Sequence, residues 1–183
     1  VDRQGNAVSE TTTLNGWFGC RTVVAGAGFL LNNEMDDFSV KPGVPNMYGA
    51  VGGDANAIAP GKRMLSSMTP TIVLKDQRPW IIAGTPGGTT IPTSVYQTLT
   101  DLIDFKMSPR DAVFKPKFHH QWLPDIVDFE TGFNPEVIDS IRAMGYTTRV
   151  WNSIGRTEVI VVRPDGIIIG VGDRRGDDSA QGY

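Results

Sequence analysis

The sequence predicts an α+β fold in which strands, helices and strands follow one another, not the strict alternation of a doubly wound sheet. Three observations carry this prediction: β-branched runs in the first half, two segments that open with a cap residue and proline, and a closing hairpin pattern. The chain has 183 residues, of which 40% are hydrophobic and 20% charged. We therefore expect one domain, residues 1–183, with a single buried core.

Five strands are predicted. The first covers Asn6 to Leu14, where "NAVSETTTL" is rich in threonine and roughly alternates. Two more, "TPTIVLKD" and "PWIIAG", are joined by a turn at residues 76–78. The last two form a hairpin in "TEVIVVRPDGIIIGVGD", because residues 164–166 are a Pro-Asp-Gly turn between two β-branched runs.

Three helices are predicted between these strands. In "TPGGTTIPTSVYQTLTDLIDF" four apolar residues fall at i, i+4, i+7 and i+8, the spacing of one helical face: Val95, Leu99, Leu102 and Ile103. "SPRDAVF" and "NPEVIDSIRAMGY" each begin with a cap residue, Ser108 or Asn134, and proline at the first helical position. The second of these ends at Gly145.

Residues 41–63, "KPGVPNMYGAVGGDANAIAPGKR", contain three prolines and five glycines without any periodicity. We expect a long irregular loop. Loops of this length inside a domain are uncommon and usually functional, for example as lids over a site.

Composition narrows the function classes. The net charge is −3 and the pI is about 5.3, with no basic run, so nucleic acid and anionic membranes are not expected partners. No apolar stretch is long enough to span a membrane, and residues 1–4 are not a signal peptide. These features do not decide the cellular compartment of the protein.

Cys20 is the only cysteine, which excludes an intrachain disulfide, and a buried structural cysteine is favoured over a thiol nucleophile.

The stretch "RMLSSMTPTIVL" places two hydroxyls, Ser66 and Ser67, side by side. Neither lies in the G-x-S-x-G elbow that presents a nucleophile, and no local pattern links them to His119 or His120. They are either a polar entry to a strand or a pair of donors for a carboxylate. The adjacent histidines point in opposite directions on an extended segment, so packing or hydrogen bonding is favoured over metal ligation.

Gly87 and Gly88 fall between a predicted strand and a predicted helix. Backbone amides at such a helix N-terminus suit an oxyanion, although a simple tight turn explains the pair equally well. The spacing fits neither a P-loop nor a dinucleotide-binding fingerprint.

A second cluster brings the carboxylates of Glu34, Asp36 and Asp37 close together. They form either an exposed acidic turn or a site for a cation, including an ammonium group; the calcium-loop series is absent. Asn15, at the end of the first predicted strand, has an amide that both donates and accepts. Carboxylates, hydroxyls and a glycine turn together describe a site for an α-amino acid moiety whose acyl group is attacked. The nucleophile is missing from this set.

Longer motifs make the sequence more specific: "TTTLNGWFG", "GFLLNNEMDDFSVKPGVPNMYGAVGGDANAIAPGKRMLSSMTPTIV", "GTPGG", "FHHQWLPD" and the terminal "GY". Along essentially its whole length the chain resembles the small, C-terminal subunit of the γ-glutamyltranspeptidases, glutathione hydrolases of the N-terminal nucleophile superfamily. The resemblance implies the small-subunit half of a four-layer αββα sandwich. It also implies a zymogen that cuts itself, so that a threonine becomes the first residue of this subunit.

Small subunits of this family begin T-T-H-x-S-x-V-D-x-x-G-N-A, whereas this sequence begins at the V-D of that pattern. The resemblance therefore implies that the chain lacks its first few residues and that the nucleophilic threonine lies just upstream of Val1. Neither Ser66 nor Ser67 is then the nucleophile. We expect residues 1–183 alone to be inactive.

Carried over residue by residue, the resemblance assigns Ser66 and Ser67 to the substrate α-carboxylate, beside an arginine of the large subunit. Glu34 and Asp37, with Asn15, hold the α-ammonium group; the family has Gln or Glu at the position of Glu34.

For catalysis, the resemblance assigns the oxyanion hole to Gly87 and Gly88. Thr13 matches the threonine that hydrogen-bonds the nucleophile. Tyr48 matches the tyrosine of a lid loop that shields the pocket.

The resemblance further implies γ-glutamyl transfer and hydrolysis without cofactor or metal. The expected partners are the large subunit of the same precursor, glutathione or other γ-glutamyl compounds, and amino acid, peptide or water acceptors. We expect a heterodimer, apolar surface exposed where the large subunit is absent, and a periplasmic or secreted location. Two alternatives stay open: a β-lactam side-chain acylase acting on glutaryl or cephalosporin substrates, and a catalytically silent binding or structural subunit.

Overall fold

The computed structural model describes residues 1–182; Tyr183, the last residue of the terminal "GY", lies outside the described residues. The chain divides into two compact units. We call Thr12–Ser67 the loop unit, and residues 1–11 with the described chain from residue 68 onward the sheet unit. The expected single domain stays a prediction.

In residues 1–182 the loop unit contains two short 3-10 helices, and the seven strands and three α-helices all lie in the sheet unit. In chain order they are β1 (Thr71–Lys75), β2 (Arg78–Gly84), α1 (Thr90–Ile103), α2 (Pro109–Phe114), β3 (Phe118–His119), β4 (Ile126–Glu130), α3 (Pro135–Ala143), β5 (Thr147–Trp151), β6 (Glu158–Val162) and β7 (Ile168–Val171). The fold class is α+β, as predicted. No helix of residues 1–182 is long and apolar enough to cross a membrane.

Both predicted hairpins are confirmed, and together they form a four-stranded antiparallel sheet in the order β1-β2-β6-β7. Asp76 and Gln77 join β1 to β2 with φ of 51° and 62°, the left-handed conformations that suit the twist of a two-residue hairpin. Arg78 is already the first residue of β2. The β6–β7 connection turns where the Gly166 amide donates to the Arg163 carbonyl at 3.0 Å.

Helices α1 and α2 are confirmed and pack on one face of this sheet. The predicted apolar face of α1 contributes Val95 and Leu102 to the core, against Ile81 and Ala83 of β2 and Val159 of β6. Alternate strand residues point to the same face, so β2 delivers its residues 81 and 83 together. This packing holds α1 against β2 and so fixes the position of the turn that joins them.

The predicted caps also form. The Ser108 hydroxyl accepts a hydrogen bond from the Asp111 amide at 3.1 Å, and the Asn134 side chain accepts one from the Glu136 amide at 2.9 Å. Each cap satisfies one of the amides that a helix leaves without an internal partner at its N-terminus.

The predicted strand from Asn6 to Leu14 is wrong, because these residues join no sheet. Ser9 contacts the β1–β2 hairpin through its side chain instead of its backbone. Its hydroxyl donates to the Ala83 carbonyl at 2.8 Å and accepts from the Thr71 amide at 3.1 Å. The threonine-rich pattern therefore marks an extended segment without a backbone ladder.

A second, three-stranded sheet, β3-β4-β5, was not predicted. Its central strand β4 pairs in parallel with β5, and α3 is the crossover between them. β4 carries two buried acids, Asp128 and Glu130, so its sequence does not resemble a buried strand. The Arg149 side chain on β5 contacts both carboxylate oxygens of Asp128, at 2.6 and 3.0 Å.

The second acid of β4 belongs to a buried ion network. Arg175 donates to Glu130 Oε2 at 2.8 Å and to Asp173 Oδ2 at 2.9 Å, and all three side chains are at most 7% exposed. Lys117 is buried beside them and donates to the Val113 carbonyl at 2.8 Å. Burial, reinforced by the positive charge of Arg175, lowers the pKa of Lys117 to about 8.

Candidate functional site

The β2–α1 turn contains the predicted glycine pair. Gly87 has φ of 142° and Gly88 has φ of 57°. Their carbonyls accept from the first helical amides, those of Thr90 and Ile91, at 3.1 Å each. Within residues 1–182, neither glycine amide donates a hydrogen bond. Two neighbouring free amides at a helix N-terminus suit an anion, as the sequence predicts for this turn, and the role stays a prediction.

Three contacts hold this turn rigid. The Thr90 hydroxyl donates to the Gly87 carbonyl at 2.8 Å. The buried Thr85 hydroxyl donates to the Pro86 carbonyl at 2.8 Å and accepts from the Arg156 amide at 2.7 Å, which ties the turn to the segment before β6. A side chain at Gly87 would collide with the Thr90 hydroxyl. Glycine is therefore required here by space as well as by φ.

A pair of carboxyl groups lies at the same end of the sheet. Glu158 is the strand partner of Gly84, the last residue of β2. Burial raises the pKa of Glu158 to about 7, with further contributions from the charge of Asp178 and from a hydrogen bond to it. Arg156 contacts Asp178 at 2.9 Å and opposes the shift. Glu158 therefore carries a proton below about pH 7.

We expect the raised pKa of Glu158 to make stability fall as pH rises towards neutrality. The folded-state pKa of Glu158 lies above the reference value of 4.5, so the folded chain holds the extra proton between about pH 4.5 and 7 and loses that stabilisation as pH rises through about 7. The difference in unfolding midpoint between wild type and Glu158→Gln should change across this range. The exposed Glu136→Gln should show no such change, and a pH-independent difference for Glu158→Gln would contradict the assignment.

In the loop unit, Asn15 has φ of 68° and its side chain has a fixed orientation. Its Nδ2 donates to the Asn33 carbonyl at 3.1 Å, which leaves Oδ1 as an acceptor that no group of residues 1–182 occupies. The Asn15 amide donates to the Thr13 hydroxyl at 2.8 Å. Because Thr13 accepts that bond, its own proton remains available to a further acceptor.

The acidic residues form a short 3-10 helix, Glu34–Asp37, and are half-buried instead of lying on an exposed turn. Burial raises the pKa of Glu34, helped by Asp37, and burial raises the pKa of Asp37, helped by Asp36. Asp36 accepts from the Met47 amide at 3.1 Å, whereas no Lys or Arg of residues 1–182 pairs with either of the other two carboxylates. Among residues 1–182, Glu34 and Asp37 thus have no counter-charge.

The predicted irregular loop is confirmed: residues 41–63 contain turns and one short 3-10 helix, Asp54–Asn56. The Tyr48 hydroxyl donates to the Asn15 carbonyl at 2.6 Å, which fastens the loop over that residue. Burial raises the pKa of Tyr48, and the three neighbouring carboxylates raise it further. The tyrosine therefore stays protonated and remains a donor at neutral pH.

Ser66 is exposed and Ser67 half-buried at the end of the loop unit, and β1 begins only at Thr71. Asn56 connects this end to the acidic helix: its Oδ1 accepts from the Leu65 amide at 2.9 Å and its Nδ2 donates to the Asp37 carbonyl at 2.7 Å. Asn56 was not predicted, because its only signal in the sequence is that of a polar residue inside an irregular loop.

The two histidines and the cysteine are not part of these clusters. His119 is buried, with one ring nitrogen 2.8 Å from the Thr93 hydroxyl and the other 2.9 Å from Gln121, as the hydrogen-bonding interpretation predicts. His120 pairs with Asp125 at 3.0 Å. Among the described residues no group of three possible metal ligands occurs. Cys20 is exposed, so its predicted burial is wrong; it lies in a loop between Gly19 and Arg21, which both have positive φ, and not in a strand or helix that packs on a core.

Seven of the nine predicted site residues therefore lie in the loop unit, and Gly87 and Gly88 lie in the sheet unit. In the loop unit, hydrogen bonds connect Thr13, Asn15 and Tyr48 directly, and Asn33 links them to the acidic helix. Asn56 links the acidic helix to Leu65, the residue before Ser66.

Comparison with known proteins agrees with these motifs. The chain is 50% identical over 184 residues to the glutathione hydrolase proenzyme of Escherichia coli, covering 100% of this chain and 32% of that protein. It thus spans about a third of the length of this curated relative. The solved structure of a γ-glutamyltranspeptidase from Pseudomonas nitroreducens, complexed with L-DON, matches with a TM-score of 0.94 and 46% identity, over 100% of this chain and 96% of that one.

A cephalosporin acylase from Bacillus halodurans is more distant, with a TM-score of 0.77 and 25% identity over 90% of this chain and 30% of that one. The profile of the family described as gamma-glutamyltranspeptidase matches residues 1–183. The chain belongs to the γ-glutamyltranspeptidase family.

Proposed function

We propose that the complete protein transfers the γ-glutamyl group of glutathione and other γ-glutamyl amides to water or to an amine, through an ester on a threonine just upstream of Val1. The observation that carries this proposal is the pair of half-buried carboxylates, Glu34 and Asp37, without a counter-charge among the described residues. Such a pair favours a bound cation, and the free Oδ1 of Asn15 adds a neutral acceptor for an ammonium group.

The opposite end of the substrate needs donors. Ser66 and Ser67 supply two hydroxyls, and an arginine of the larger piece of the precursor would supply the positive charge for the α-carboxylate. A zwitterionic γ-glutamyl group requires opposite polarity at two ends of its site. Carboxylates and serine hydroxyls in one unit provide this arrangement.

The chemistry then follows from the free amides and the threonine. The threonine hydroxyl attacks the γ-carbonyl while its own α-amine, of reference pKa about 7.7 to 8.0, accepts the proton. The Thr13 hydroxyl orients the attacking oxygen, and the amides of Gly87 and Gly88 stabilise the oxyanion. Collapse breaks the C–N bond, and the leaving amine takes the proton. Water or an acceptor amine then attacks the ester and releases the threonine.

A larger partner from the same precursor completes the protein in this proposal. One face of the four-stranded sheet packs on α1 and α2, while apolar residues elsewhere on β1 and β7 are exposed: Ile72, Leu74 and Ile168. Such surface is typical of a face that another chain covers. A periplasmic or secreted location belongs to the same proposal.

The ammonium assignment predicts the effect of Asp37→Asn. Removing one charged partner of a charge-assisted hydrogen bond should lower kcat/KM for a γ-glutamyl anilide by about 10- to 100-fold, chiefly through KM. Steady-state kinetics of the complete protein measure this effect, and the exposed Asp104→Asn is the matched control. An unchanged KM for Asp37→Asn would refute the assignment. A wild type that prefers a glutaryl anilide would favour the acylase alternative instead.

A further inference from the structure

Asn33 is the N-cap residue of the acidic 3-10 helix but does not cap it with its side chain. Asparagine at this position ordinarily bonds to the first helical amides. Here the side chain turns to other segments instead: Oδ1 accepts from the Gly16 amide at 2.8 Å, and Nδ2 donates to Met47 Sδ at 3.5 Å.

The backbone of Asn33 binds the same segment. Its amide donates to the Leu14 carbonyl at 3.1 Å, and its carbonyl accepts from Asn15 Nδ2 at 3.1 Å. One residue therefore holds residues 14, 15 and 16 through three hydrogen bonds. These bonds keep Asn15 in its left-handed conformation and keep its Oδ1 as the free acceptor.

The fourth bond of Asn33 extends to the long loop. Met47 Sδ lies 3.5 Å from Asn33 Nδ2 and 3.6 Å from Asn15 Nδ2, while the Met47 amide donates to Asp36. Tyr48, the next residue, closes on the Asn15 carbonyl. Asn33 therefore connects three parts of the loop unit: the long loop at Met47, residue Asn15 and the acidic helix.

We propose that Asn33 is the positioning residue of the α-ammonium subsite: it sets the place of Asn15 Oδ1 relative to the carboxylates of Glu34 and Asp37. This inference rests on the proposed function. Asn33 acts through its neighbours, since both of its amide atoms are engaged by protein groups. Its loss should weaken recognition of the α-ammonium group more than the acyl transfer itself.

The test uses the complete protein and two anilides that differ in one group, γ-glutamyl and glutaryl, the second of which lacks the α-ammonium. Asn33→Ala removes the side-chain bonds to the Gly16 amide and to Met47 Sδ but keeps the two backbone bonds, so it tests the side chain alone. We expect it to lower the ratio of the two kcat/KM values by about tenfold, because kcat/KM for the glutaryl anilide changes little. Asn152→Ala, at an exposed asparagine of the sheet unit, should leave the ratio unchanged. A merely structural role would lower both values together and leave the ratio intact, which would overturn the inference.

Met47→Leu decides the question if Asn33→Ala does not fold. Leucine keeps the volume but removes the sulfur acceptor of both asparagine side chains, so the ratio should fall several-fold, and an unchanged ratio would overturn the inference. A wild type that cleaves neither anilide would refute the proposed function. A wild type that prefers the γ-glutamyl anilide, with an unchanged ratio in the variants, would refute the role of Asn33 alone.

Discussion

Gly87→Ala in the complete protein should lower kcat by about 100- to 1,000-fold with little change in KM, the loss expected when one oxyanion donor is removed. Gly87 has φ of 142°, which an alanine rarely adopts, and the added Cβ collides with the Thr90 hydroxyl. The turn must therefore rotate, and its two amides no longer point to one place. Because the oxyanion forms only in the transition state, the loss falls on kcat.

Gly145→Ala is the matched control. Gly145 also has a positive φ, 97°, but nothing lies within 4 Å of an added Cβ and the residue follows α3, in a connection unrelated to the glycine turn. This variant should lose stability of about 1 kcal/mol and keep its kcat. If Gly87→Ala retained kcat within a few-fold of wild type, the amides of this turn would not form the oxyanion hole.

Arg175→Met should destabilise the folded protein by about 3 to 5 kcal/mol, the cost of removing one partner from a buried ion pair. Without the Arg175 guanidinium, the carboxylates of Glu130 and Asp173 stay buried and lose their ion-pair partner. The variant also removes the donors to the Val113 and Lys115 carbonyls. Methionine fills much of the volume, so the effect reports charge rather than a cavity. Denaturant unfolding at neutral pH measures it.

The neighbouring Arg174 provides the control, because it is exposed, stacks on Phe114 and contacts the Phe114 carbonyl at 3.5 Å. Arg174→Met should change the free energy of unfolding by less than about 1 kcal/mol. Adding Glu130→Gln to Arg175→Met should recover part of the loss, since one uncompensated charge disappears. Equal effects of the two arginine variants would show that the network contributes no special stability.

The elements predicted from sequence were those with local signals. The caps at Ser108 and Asn134, the face of α1 and the turn at Asp76 and Gln77 all depend on residues within one helix or one hairpin. The three-stranded sheet was missed because the burial of Asp128 and Glu130 depends on arginines 21 and 45 positions away. Such pairings cannot be read from a strand's own residues.

The candidate site shows the same division. The acidic, hydroxyl and glycine clusters are visible in the sequence because each is contiguous. Their connections are not: Asn33 contacts Gly16 and Met47, and Asn56 contacts Asp37 and Leu65, across irregular segments without periodicity. Nor does the sequence separate Asp36, whose carboxylate accepts from the Met47 amide of the loop, from its neighbours Glu34 and Asp37.

The most direct test of the proposed function is to locate the acyl group. The complete protein is incubated with a γ-glutamyl anilide, quenched in acid during turnover, and digested for peptide mass mapping. The proposal predicts a γ-glutamyl ester on an N-terminal threonine of the peptide that runs into Val1, with no label on Ser66 or Ser67. Label on either serine, or anilide cleavage by a protein whose corresponding peptide carries no N-terminal threonine, would contradict it.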